Sequence, residues 1–95
     1  MSEVIDAAVA ALNDKIGGAF DGTAKFVIEG EGAVVVGPDG ARASDDDAEV
    51  TLTASAEDFE AMMNGELNPT TAFMTGKLKV DGDMGAAMRL GSTLT

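Results

Sequence analysis

The hydrophobic spacing of this chain switches between helical and strand periods four times, and that alternation limits its fold more than any single motif. Near the start, Ile5, Val9, Leu12 and Ile16 recur at steps of 4, 3 and 4, with Ala8 and Ala11 beside them. Such a stripe occupies one face of a helix. Asp6, Asn13 and Asp14 fall largely off it. Ser2 is placed to cap its start and the pair Gly17-Gly18 to end it. The spacing predicts a helix over about residues 3–17.

The period then shortens. Ala24-Lys25-Phe26-Val27-Ile28-Glu29 reads as a short strand, Gly30-Glu31-Gly32 interrupts it, and Ala33-Val34-Val35-Val36 resumes it. Gly37-Pro38-Asp39-Gly40 is a turn, with Pro and Gly setting the backbone. From Glu49 to Ala54, Val50 and Leu52 alternate with Thr51 and Thr53, the pattern of a half-buried strand.

Helical spacing returns at Ser55-Ala56-Glu57-Asp58, a hydroxyl cap with an acid three residues on. Phe59, Met62 and Met63 follow at i, i+3 and i+4, and Gly65 stops the helix. Asn68-Pro69 opens a second short helix, closed by Gly76. Lys77-Leu78-Lys79-Val80 alternates as a strand, with the lysines expected on the solvent face. Asp81-Gly82-Asp83 is expected to turn. A last helix runs from Met84 to Leu94, weakened by Gly85 and Gly91. The order α-β-β-β-α-α-β-α implies one α+β domain over residues 1–95: a mostly antiparallel sheet with helices on one face.

Composition narrows the chemistry. The chain has no His, Cys, Tyr or Trp, which removes His-based triads, thiolate nucleophiles and the usual zinc ligands. Carboxylates, hydroxyls, four Lys and two Arg remain, in no triad-like arrangement, so the expectation is a protein that is not an enzyme and uses no cofactor or metal. A net charge of −11 argues against a nucleic-acid partner, and an anionic membrane surface should repel the chain as a whole. No stretch approaches the roughly 20 apolar residues of a membrane span. The start carries no signal-like segment, so a soluble cytoplasmic location is expected.

Three clusters invite a site and read better as structure. Asp45-Asp46-Asp47 with Glu49 lacks the ligand spacing and central Gly of a calcium loop, and reads as a solvated acidic loop. Asp81-Gly82-Asp83 is too short for one. Gly30-Glu31-Gly32 begins like a dinucleotide fingerprint, but Val35 stands where the third Gly belongs and a strand follows. The methionines are more informative. Five of six lie at positions 62, 63, 74, 84 and 88, with Phe59 and Phe73 nearby. Core packing takes part of such a set, yet Met also suits surfaces that repack around variable apolar guests.

The segment from Phe59 to Leu90 resembles the sterol carrier protein 2 family. The shared pattern is a short helix ending in Gly, a Leu-x-Pro element, then Ala-Phe-x-x-Gly-Lys-Leu-Lys-x-x-Gly-[Asp/Asn] and an apolar terminal helix. Leu67, Pro69, Ala72, Phe73, Gly76, Lys77, Leu78, Lys79, Gly82 and Asp83 all match it. The resemblance implies a five-stranded sheet covered by helices, with an apolar tunnel between them. The fifth strand is expected from Ala41–Asp47 or Gly30–Val36. It further implies non-catalytic binding and transfer or presentation of fatty acid, fatty acyl-CoA, sterol-like or isoprenoid lipid. The animal carriers are basic and end in a peroxisomal signal, whereas this chain is acidic and ends Ser92-Thr93-Leu94-Thr95.

The expected cavity wall is Phe59, Met62, Met63, Phe73, Met74, Met84, Met88, Leu90 and Leu94, converging on one side of the sheet. The rival reading is an interaction module, in which the same Met/Phe face docks on a partner enzyme or a second copy. No residue marks a single head-group anchor.

Overall fold

Helix α1 (Glu3–Ile16) forms where the apolar stripe predicts it, burying Ile5, Ala8, Leu12 and Ile16. A computed structural model describes residues 3–17 and 20–94. The expected caps Ser2 and Gly18 lie outside the described residues. Gly17 leaves the helix at φ +68°, a left-handed C-terminal conformation that glycine adopts without strain.

Five strands follow the predicted runs: β1 (Ala24–Glu29), β2 (Gly32–Gly37), β3 (Gly40–Ala43), β4 (Val50–Ser55) and β5 (Lys79–Gly82). They form one sheet in the order β3-β2-β1-β4-β5. β1 pairs with β4 in parallel, and the other three pairs are antiparallel. Register sets the two faces. Ala24, Phe26 and Ile28 lie opposite Val36, Val34 and Gly32 on one side, and opposite Val50, Leu52 and Ala54 on the other. All of these side chains but Gly32 are buried in one core with the helices. The opposite face carries Lys25, Val27, Thr51 and Thr53. Lys25 Nζ donates there to the carbonyl and carboxylate of Asp45, at 3.4 and 3.3 Å, so the β3–β4 connection lies against that face. Arg42 pairs with Asp46 at 3.3 Å. Asp45, Asp46 and Asp47 are all exposed.

β3 is the fifth strand, and it is short: Gly-Ala-Arg-Ala carries no strand signal of its own. The hairpin pairs it with β2, and α1 secures it from above. Asn13 Oδ1 accepts from the Ala41 N–H at 2.8 Å, and Asn13 Nδ2 donates to the Ala41 carbonyl at 3.1 Å.

α2 (Ala56–Met63) starts at the predicted cap, Ser55, whose hydroxyl accepts from the Asp58 N–H at 3.1 Å. α3 (Pro69–Met74) starts at Asn68, whose Oδ1 accepts from the N–H groups of Thr70 and Thr71. α4 (Met84–Leu94) has the predicted bounds. β5 corrects the sequence reading. It begins two residues later than the alternating run and takes in Asp81 and Gly82, expected as a turn. The cause is close approach to β4. Gly82, at φ +116°, lies so near that an added Cβ would sit 2.6 Å from the Glu49 carbonyl oxygen. Only glycine lets the strand continue there.

Candidate functional site

The alternation of β1, β4 and β5 points Phe26, Leu52 and Val80 at the helices, and these side chains form the floor of a cavity of about 620 Å³. Met62 of α2 closes one end, together with Leu78 ahead of β5. Pro69, Phe73 and Met74 of α3 form one wall, and Met84, Ala87, Met88, Leu90, Gly91 and Leu94 of α4 form the other. The polar side chains in the lining are Asn68, Thr70 and Ser92, and among the described residues no charged one lines it. The Asn68 carboxamide oxygen is already engaged in capping α3.

The inner part of this cavity is dry-faced and the outer part opens to solvent. Met62 and Leu90 are fully buried, whereas Phe73 and Met84 are 45% exposed, Met88 70% and Met74 78%. The four exposed side chains come from α3 and α4 and rim the mouth. At its N-terminus α4 is tied down: Asp83 Oδ1 accepts from the Gly85 N–H at 2.8 Å, and the Asp83 N–H donates to the Glu49 carbonyl at 2.9 Å. Arg89 lies 3.8 Å from Glu49 at the surface.

Seven of the nine side chains expected in the wall line this cavity: Met62, Phe73, Met74, Met84, Met88, Leu90 and Leu94. Phe59 and Met63 do not. They line a second hollow of about 390 Å³ between α1 and α2, with Val4, Ala8, Ala11 and Ala56. The reason is helical geometry. Phe59 and Met63 stand four residues apart on the side of α2 toward α1, while Met62 is turned about 100° from Met63. Phe59 backs the main cavity indirectly, through an edge-to-face contact with Phe26 at 5.3 Å between ring centroids.

The wall expected from the sequence did not include Phe26, Leu52, Pro69, Leu78, Val80, Ala87, Gly91 or the polar Asn68, Thr70 and Ser92. Strand alternation already set Leu78 and Val80 opposite the solvent-facing Lys77 and Lys79, and Leu52 opposite Thr51 and Thr53. Nothing local marks the other members. Lys77 and Lys79 are exposed, while Leu78 is buried and Val80 half-buried.

Comparison with known proteins agrees with this architecture. Residues 6–95 match the SCP-2 sterol transfer family. The sterol carrier protein 2 of Gallus gallus is 42% identical over 88 residues, covering 80% of this chain and 15% of that protein. The peroxisomal multifunctional enzyme A of Dictyostelium discoideum is 43% identical over 65 residues, covering 68% of this chain and 14% of that protein. The chain thus spans about one-seventh of the length of these relatives. Among solved structures, the Aedes aegypti sterol carrier protein-2 complex with palmitate superposes with a TM-score of 0.76 at 24% identity, covering 100% of this chain and 97% of that one. Sterol carrier protein 2 like 2 of the same organism gives 0.76 at 20% identity, covering 94% of each chain. A match over nearly the whole sequence, on a fold whose sheet and helices enclose an apolar cavity, places this chain in the SCP-2 sterol transfer family.

Proposed function

We propose that this domain binds the apolar chain of a lipid in the cavity between the sheet and α3/α4, and carries or presents it without catalysis. The observation that carries the reading is the cavity itself: about 620 Å³, uncharged in its lining, and open between α3 and α4. Pockets for small ligands commonly fall between about 300 and 1,000 Å³ and are lined mainly by apolar groups. The absence of His, Cys, Tyr and Trp from the sequence supports binding over catalysis. The palmitate found in the Aedes aegypti protein supports a fatty-acyl chain as the ligand class.

The energetics favour an occupied site. Sealed and dry, a void of this size would cost about 15 kcal/mol at about 24 cal/mol per Å³, but the mouth between α3 and α4 lets solvent reach its outer part. The inner volume is therefore filled by ligand, or by water entering through the mouth. A chain of about 16 carbons gains about 13 kcal/mol gross on burial, at about 0.8 kcal/mol per methylene. Lost ligand freedom reduces this to about micromolar net affinity.

The test is a filled cavity. Ala87 is buried on α4 and lines the cavity. Ala87→Phe should lower affinity for a fluorescent fatty acid at least tenfold while circular dichroism shows a folded protein. Unchanged affinity in the folded variant would show that the fatty acid binds elsewhere. Native mass spectrometry of the wild type should reveal co-purified lipid. A bare dimer there, with no fatty-acid binding, would favour the rival interaction module.

A further inference from the structure

The two edges of the sheet are finished differently. At the β3 edge, the N–H and C=O of Ala41 that turn away from β2 are both taken by the Asn13 carboxamide, at 2.8 and 3.1 Å. At the β5 edge, the register that sets Leu52 opposite Val80 and Val50 opposite Gly82 runs on to Glu49 and Asp83. There the Asp83 N–H donates to the Glu49 carbonyl at 2.9 Å. Antiparallel ladders alternate hydrogen-bonded with non-hydrogen-bonded pairs. Counting back from Asp83, Asp81 and Lys79 turn their N–H and C=O toward β4, and Val80 turns its own outward. Among the described residues no side chain caps these two groups of Val80. Lys79 and Asp81 are exposed on the helix-free face, and neither joins an ion pair among the described residues.

We propose that β5 is the edge by which two copies of this chain associate, antiparallel about a two-fold axis at Val80. An open strand edge is a template for another strand, and a two-fold contact must be its own complement. β5 meets that condition. Val80 of each copy exchanges both main-chain bonds with Val80 of the other, and Lys79 of each copy lies opposite Asp81 of the other, twice over. Sliding the register by two residues sets Lys79 opposite Lys79, or Asp81 opposite Asp81, and like charges directly opposite are destabilising. The charges thus select one register. It joins two sheets of five strands into one continuous sheet, with the helices of both copies on the same face. The net charge of −11 opposes self-association in general, but β5 lies in the part of the sequence that is not acidic: residues 67–94 carry two Asp against Lys77, Lys79 and Arg89. The pairing is independent of lipid binding, since it uses the sheet edge and not the exposed Phe73, Met74, Met84 and Met88.

Sedimentation velocity of the full chain tests this. A contact of one short strand belongs with weak, transient interfaces, so a monomer–dimer equilibrium with a Kd of about 100 µM is expected across about 10 µM to about 1 mM protein. Lys79→Asp alone, or Asp81→Lys alone, should weaken the dimer about tenfold, because each sets like charges opposite at two places. Both positions are exposed, so circular dichroism should show the wild-type fold. An equimolar mixture of the two single variants should regain wild-type association, since opposite charges then face each other across the axis. The double variant Lys79→Asp with Asp81→Lys should regain it as well. A monomer throughout the range overturns the proposal. A dimer indifferent to the single variants, or one that neither the mixture nor the double variant restores, overturns it equally. Fatty-acid binding measured on the dilute monomer tests the carrier reading separately.

Discussion

Gly91→Ala probes whether α4 is the wall that moves. A buried lipid needs a way in, and α4 is a terminal helix of 11 residues that contains Gly85 and Gly91. Each glycine costs up to about 1 kcal/mol of helix stability relative to Ala, which places α4 among the elements that open at low cost. At Gly91 an added Cβ meets nothing within 4 Å, and the backbone has no positive φ, so the full propensity gain should appear. At Gly85 the added Cβ would sit 3.2 Å from Asp83 Oδ1, the oxygen that caps the helix, so the gain there should be smaller. A gain of about 1 kcal/mol in Gly91→Ala corresponds to a rise in Tm of about 4–8 °C for a domain of this size. If ligand escapes through opening of α4, the same free energy should slow release about fivefold. Stopped-flow displacement of a fluorescent fatty acid measures the release rate. A variant with raised Tm and an unchanged rate refutes the gate and points to the Gly65–Pro69 connection between α2 and α3.

Three further outcomes are expected. Gly82→Ala should destabilise the domain by about 1–3 kcal/mol in denaturant melts, since its φ of +116° is joined to a 2.6 Å approach to the Glu49 carbonyl; a neutral result would show that β5 can part from β4 without loss. Asn13→Ala should cost about 1–3 kcal/mol by removing both hydrogen bonds to Ala41 and freeing the edge strand β3, and amide exchange should quicken at Ala41 and Ala43. Lys77→Ala combined with Lys79→Ala should leave solution affinity for a fluorescent fatty acid unchanged, because both side chains are exposed and neither lines the cavity; a large loss would place one of them on the ligand.

The elements with local signals were legible in the sequence. Helical spacing with flanking caps located α2 at Ser55, α3 at Asn68 and α4 at Met84. β1 was equally clear from its apolar and β-branched run. The Met and Phe content toward the C-terminus marked five members of the cavity's helical walls: Met62, Phe73, Met74, Met84 and Met88. The net charge, taken as a single number, hid an uneven distribution, with fifteen of the seventeen carboxylates in residues 3–66.

What the tertiary structure decided depends on neighbours distant in the chain. β3 exists because β2 supplies an edge and Asn13, 28 residues away, holds Ala41. The strand that follows α3 slid to Lys79–Gly82 because Gly82 can press against β4. The parallel pairing of β1 with β4 puts Phe26 beside Leu52, and that pair, with Val80, makes the floor. Phe59 and Met63 left the expected wall because α1 packs on their side of α2. Periodicity and caps report how a residue sits relative to its own helix or strand. A cavity is a relation between elements, and its membership is settled only when register and helix rotation bring their faces together.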